Sequence, residues 1–445
     1  MLAVQFLKQF GKRSIIVLLI LCGLLSIGRN LFKRNLFESV DSNFTYPDLT
    51  FESIDDQKET FAVSSYTEQN LREIRILVLK KETANPLVYC YYVSNIAKTK
   101  GMIISNTMET FGVRGRKFGF HSLTEPMGTY RGYFIFCKLP PDLITEAVRG
   151  HVAVALHLGT ATWKVPIILP VLPGTPKTLP ESESTRRIGL CVAPSDDMTA
   201  ITANGLLEFI EAQRIMGVNL ILFYVPEEPS RQVQNVFNSY VESTELETDQ
   251  QFQVDVVNWE LPLLNSSQQT WEGAQILGYN DCIFRISRRV DYIFHANVKE
   301  IFVPKTNAQS KKNPGWSGII QTIQKGKYAK KTVSCFPARF VEPFPKVGSM
   351  FERKRVTAKT YIARKKCLLR SDTAHEVSLH WPVKPQAFNY LPDQGTVYNY
   401  GTCAESDYEP CKMDNQFVVN VDLQPYLIAI HSGVNARLDL LSNEM

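Results

Sequence analysis

Residues 188–225 read IGLCVAPSDDMTAITANGLLEFIEAQRIMGVNLILFYV, and the fold class turns on this stretch. Ile188 to Ala193 is an apolar run of strand length. From Asn204 to Met216 the apolar side chains Leu206, Leu207, Phe209, Ile210 and Ile215 keep the spacing of one helical face, and Gly217 closes it. Asn219 to Val225 is again continuously apolar, as a strand covered on both faces should be. Strand, helix and strand in succession make a βαβ unit, which implies a parallel sheet. The alternation continues with a helix at about Val233 to Ser243, a strand at Phe252 to Trp259, a helix at about Ser267 to Arg288 and a short strand at Val290 to Phe294. In open α/β sheets ligands bind beyond the carboxyl ends of the strands. The sequence following Phe294, His295-Ala296-Asn297-Val298-Lys299-Glu300-Ile301-Phe302-Val303-Pro304, is therefore where chemistry is expected.

Upstream the texture differs. Ile74 to Leu79, Leu87 to Val93, Tyr130 to Cys137 and Val152 to Leu158 are rich in β-branched and aromatic residues and predict a small all-β domain over 71–172. Five prolines crowd residues 166–180, so 173–184 is expected to be a linker to an α/β domain at 185–425, with a C-terminal tail at 426–445. Residues 29–70 are expected to form a stem, because 38–70 are polar, acidic and without sustained periodicity. Residues 14–28, SIIVLLILCGLLSIG, carry no charge and predict a short signal-anchor helix after a cytoplasmic tail at 1–13. The expected fold class is thus α/β, a mixed sheet flanked by helices, preceded by a small all-β domain and an N-terminal transmembrane helix.

With 44% hydrophobic and 21% charged residues, wholesale disorder and a polytopic membrane protein are excluded. The net charge of +5 is unevenly placed. Residues 1–37 carry six cations and no acid, whereas 305–370 hold 17 Lys or Arg against Glu342 and Glu352 alone. A local excess of this kind suits a diphosphate, an acidic glycan or a solvated loop. Cys22 lies in the apolar run, and the eight remaining cysteines are compatible with up to four disulfides in an oxidising lumen. Asn43 and Asn265 head glycosylation sequons and point the same way. For a chain with its body in the secretory lumen, nucleic acid is not an expected partner.

GLLEFIEAQRIMGV at 205–218, YNDCIFR at 279–285, VKEIFVP at 298–304 and SLHWP at 378–382 stand in the order found in glycosyltransferase family 92, which this chain resembles over about half its length. The resemblance implies a GT-A-like domain in a single-pass type II membrane protein of the Golgi or secretory pathway. It further implies transfer of a hexose, typically galactose, from a UDP-sugar to a glycan acceptor on a glycoprotein or glycolipid, generally with a divalent metal such as manganese. The family's metal motif is of the DxDE kind, in which alternate carboxylates at a strand end hold the metal that bridges the diphosphate. Aligned on Glu300 and Pro304, the two aspartates fall on Asn297 and Lys299, so a conventional manganese site is not expected. Downstream, the family's His-Tyr-Arg triplet is matched by Asn399-Tyr400-Gly401. Two readings stay open: Lys299 supplies the counter-charge to the diphosphate in place of metal, or the protein is an inactive relative retained for binding.

The resemblance places Asn297, Lys299, Glu300, Asp281 and His380 at the donor, and Glu376 is a candidate base for the acceptor hydroxyl. Asp281 also reads as a salt-bridge partner of nearby arginines, Glu376 as a surface glutamate and His380 as a core histidine. Trp316 and Trp381 are candidate platforms for a sugar ring or ordinary packing residues. A membrane-anchored lectin-like module is the alternative of another class.

Overall fold

The structure is a computed structural model. It describes residues 49–443 except 56, 58, 69–70, 82–87, 95–106, 111–129, 159–166, 174–185, 195–197, 199, 227–228, 244–251, 262–270, 306–314, 343–348, 353–354, 381, 402–416 and 421. The expected cytoplasmic tail and signal-anchor, Asn43, Asn265, Trp381, Cys403, Cys411 and nearly all of the Pro-rich linker lie outside the described residues. Among the described residues no helix is long and apolar enough to cross a membrane.

The 188–225 stretch folds as read. Strand β9 (Ile188–Val192) leads to helix α2 (Ala203–Ile215), whose first turn is capped by Thr202 Oγ1 accepting from Gly205 N. Gly217 ends it with φ +93°, a backbone conformation that suits glycine. Strand β10 (Leu220–Pro226) follows, then α3 (Arg231–Ser243), β11 (Gln253–Trp259), α4 (Trp271–Arg285) and β12 (Tyr292–Ala296). β11, β10, β9 and β12 lie side by side and parallel. Their carboxyl ends therefore share one edge, and Ala296 opens onto it.

The sheet continues in mixed sense through β16 (Tyr361–Arg370), β14 (Val333–Phe340), β20 (Gly395–Asn399) and β13 (Glu300–Pro304), with β19 (Asn389–Tyr390) beside β14. One face is covered by α2, α3, a short helix α5 (Trp316–Ile323) and a long C-terminal helix α6 (Gln424–Asn443). The other face is covered by α4. Three disulfides, Cys90–Cys137, Cys191–Cys282 and Cys335–Cys367, fix the frame. The second pins α4 to β9, and the third joins register partners on β14 and β16. These six cysteines are therefore cystines.

The β-rich region is a sheet in the order β4 (Val88–Ser94), β7 (Val152–Leu158), β8 (Ile167–Leu172), β2 (Thr60–Thr67), β3 (Glu73–Lys81), β6 (Tyr130–Lys138) and β5 (Thr107–Thr110), with β1 (Glu52–Ser53) on β2. Its central strands are buried on both faces, and alternate residues enter different cores. Ile74, Ile76, Val78 and Ile135 fill a core inside the β region. Leu77, Leu79, Phe61, Val63 and Phe134 instead join Leu277, Cys282 and Ile283 of α4 in one continuous core. The β region is consequently a layer laid on α4, and the two expected domains share their interior.

Two expectations need correction. The segment read as stem to residue 70 contains β2, all eight of whose side chains are buried. Its polar residues hid it, because Ser64 and Ser65 are satisfied inside by Asp281 and by the Pro170 carbonyl. The expected C-terminal tail is the helix α6, which buries Tyr426, Ile430 and Val434 against α2 and α3. It comes so close to α2 that a Cβ on Gly433 would meet Glu211 Oε2 at 2.1 Å.

Candidate functional site

The chain leaves β12 at Ala296, turns through Asn297, Val298 and Lys299, and re-enters the sheet at Glu300 in β13. Asn297 carries the turn with both ends of its residue. Its carbonyl accepts from Glu300 N at 2.9 Å and its Oδ1 accepts from Lys299 N at 3.2 Å. Glu300 is buried and its Oε2 accepts from Asn297 N at 2.8 Å, closing the turn from the other side. The same oxygen lies 2.9 Å from Lys366 Nζ, which also donates to the Leu379 carbonyl at 2.9 Å. Lys366 is 3% exposed, so this is a buried ion pair whose charges compensate each other.

Two histidines lie against it. His295, fully buried on β12, packs edge-on to Tyr279 with centroids 5.0 Å apart. Burial first, and then the Lys366 charge, hold its pKa well below the usual histidine value against the opposing pull of the Leu379 carbonyl. His380 accepts from Arg364 Nη1 at 3.0 Å through Nε2, so its neutral ring carries the proton on Nδ1. Burial, followed by Lys366 and Arg364, depresses its pKa as well. Burial, followed by the Glu300 charge, pushes the Tyr279 hydroxyl far above its ordinary value.

Beside this buried cluster stands Lys299, half-exposed on the turn. Its carbonyl accepts from Tyr400 N at 2.7 Å, and Asn399 Oδ1 accepts from Gly401 N at 2.8 Å. A Cβ on Gly401 would sit 4.0 Å from Lys299 Cδ, so the end of β20 lies along the lysine stem. Asn297, Lys299, Glu300, His380 and the Asn399-Tyr400-Gly401 triplet thus meet at one end of the sheet, brought there by β12, β16 and β20.

These donors do not fit a divalent metal. Glu300 is neutralised by Lys366, Asn297 Oδ1 is engaged within the turn, and residue 299, where a second carboxylate would be needed, is a lysine. Among the described residues no group of three or more His, Cys, Asp or Glu side chains gathers in a way that could hold a metal ion.

Other expected site residues lie elsewhere. Asp281 is fully buried on α4, where Ser64 Oγ, Tyr66 OH and Tyr224 OH each donate to it at 2.5 Å and Arg285 Nε donates at 2.9 Å. Four donors saturate the carboxylate, so it is not a donor-sugar residue; it ties the β region to α4 and β10. Glu376 lies buried in a short hairpin of β17 (Glu376–Val377) and β18 (Pro382–Lys384). The hairpin is clamped to α4 by Asn280, whose Nδ2 donates to the Val377 carbonyl at 2.8 Å. It is not the surface glutamate that its neighbours in sequence suggested. Trp316 is fully buried and stacks on Phe302 at 4.0 Å, which excludes a sugar platform.

Sequence reasoning missed Lys366 and Arg364. The signal available was the run Arg364-Lys365-Lys366 inside an otherwise apolar strand, since charges placed there must find partners.

The architecture and the cluster define an α/β protein with its polar site at the carboxyl ends of parallel strands. A sequence model of glycosyltransferase family 92 matches residues 186–421, more than half of the chain. The chain belongs to glycosyltransferase family 92, and its α/β region is a glycosyltransferase domain, which implies a sugar donor and a glycan acceptor. No curated protein gives a significant match.

Proposed function

We propose that the protein transfers a hexose, by resemblance galactose, from a UDP-sugar to a glycan acceptor in the secretory lumen, and that Lys299 supplies the positive charge to the diphosphate. In this reading residues 14–28 anchor a Golgi-type, single-pass type II membrane protein, and the α/β region is GT-A-like. The disulfides support an oxidising compartment.

The observation that carries the proposal is the division of labour between two lysines. Lys366 is buried and its charge is balanced by Glu300, whereas Lys299 is half-exposed on a turn that Asn297 and Glu300 hold rigidly. A lysine carried on a held turn at the carboxyl edge of the sheet suits the developing charge on a departing UDP.

A second reading, UDP-sugar binding without transfer, is favoured by the Asn399-Tyr400-Gly401 triplet, where Asn399 Oδ1 is engaged by Gly401 N. Titration of UDP-galactose in chelator, followed by measurement of UDP release with a mixed glycan acceptor, separates the two. Binding with release supports transfer; binding without release supports the second reading; no binding in chelator refutes the role given to Lys299.

A further inference from the structure

At the end of the sheet opposite the candidate site, where Thr332 O accepts from Arg370 N and Gln324 Nε2 donates to the Tyr292 hydroxyl at the start of β12, lysines gather around two aromatic rings. The turn after α5 runs Lys325-Gly326-Lys327-Tyr328-Ala329-Lys330-Lys331, and all four of its lysines are exposed. It is knotted to the loop before β19: Lys331 Nζ donates to the Phe388 carbonyl at 2.7 Å, and Asn389 Nδ2 donates to the Tyr328 carbonyl at 2.9 Å. Lys327 Nζ lies 5.1 Å from the centroid of the Tyr328 ring, and Lys365 Nζ, from β16, lies 5.3 Å from that of Phe388. Both rings are half-buried.

The three contributing segments, 324–332, 357–368 and 378–392, contain no acidic residue. The surface therefore carries positive charge that its own segments do not neutralise, and this is where much of the excess of 305–370 goes. The exposed cations of the 325–331 turn are all lysines. Point charges spread over a turn suit a chain with charge on many units, whereas a single carboxylate is better met by an arginine fork.

We infer that this surface binds a sulfated glycan. Strand β16 connects it with the donor end: Lys365 is on the patch, Arg364 holds His380, and Lys366 holds Glu300. Glycan binding is measured without UDP, so this inference and the transferase reading fail separately.

The test is a titration of the full chain with a sulfated heparin-derived oligosaccharide and with its desulfated form. The sulfated form should bind with an affinity that falls steeply between low and physiological salt, and the desulfated form at least tenfold more weakly. Lys327→Ala combined with Lys330→Ala, both exposed positions, should lose at least tenfold in affinity while the unfolding midpoint is unchanged. Lys365→Gln should add a further loss. Equal binding of both oligosaccharides, no effect of the variants, or binding to phosphatidylserine vesicles in preference to the sulfated glycan would overturn the inference.

Discussion

Asp281 and Glu300 are both buried carboxylates paired with a buried cation, yet they occupy opposite kinds of place. Asp281 lies where the β region meets α4, and its four donors come from β2, β10 and α4 itself. Nothing of it faces outward, and its effect is to join layers. Glu300 lies at the carboxyl edge of the parallel strands, and the pair it forms with Lys366 steadies a turn that presents another lysine. The same chemistry closes one region and prepares the other. Burial of a charged pair is thus no guide to function until the segment it steadies is identified.

If that contrast is right, Asp281→Asn should have the largest effect. It strands Arg285 beside three hydroxyls in a fully buried site, and breaking such a pair costs about 3–5 kcal/mol. Urea unfolding should show a strongly lowered midpoint, and retention of the wild-type midpoint would contradict the joining role. Lys366→Met should cost about 3 kcal/mol, because Glu300 sits nearer the sheet edge and can take up a proton. Lys366→Met with Glu300→Gln should recover much of that stability, while UDP binding stays weakened because the turn loses its ion pair. Full recovery of binding in the double variant would show that the pair does not position Lys299.

A smaller effect is expected from pH. The folded protein keeps His295 neutral, whereas the unfolded chain takes up a proton at the ordinary histidine value. Folding stability should therefore be unaffected by this residue above about pH 6.5 and fall below it. The slope is about 1.4 kcal/mol per pH unit. Unfolding midpoints taken from pH 7 to 5.5 should show the decline, and His295→Gln should remove its share of it, leaving that of His380, whose pKa is lowered in the same way.

Much of this was legible before the structure. The βαβ alternation announced itself because buried parallel strands and a one-sided helix leave distinct apolar periods, and the rule on strand ends directed attention to Asn297 and Lys299. β2 was not legible, because Thr60, Ser64, Ser65 and Thr67 find partners or packing only inside the assembled layers. Nor was α6, whose buried Tyr426, Ile430 and Val434 are separated by exposed Ile428, His431 and Ser432. Asp281 read as either a ligand or a salt-bridge partner, since sequence places it near arginines without showing that Tyr66 and Tyr224 also reach it. Lys366 was hidden for the opposite reason: its partner Glu300 is 66 positions away in sequence and meets it only when β16 lies next to β12.

The most direct test of Lys299 as the diphosphate's counter-charge is the sign of the manganese effect on UDP binding. Two unit charges about 4 Å apart at an effective dielectric near 20 interact by about 4 kcal/mol before desolvation and ordering are subtracted. A net loss of roughly tenfold to a hundredfold on Lys299→Ala follows. Wild type should bind UDP equally in manganese and in chelator, and Asn297→Asp with Lys299→Asp should bind only in manganese. Manganese-dependent binding by the wild-type chain would contradict the assignment of Lys299.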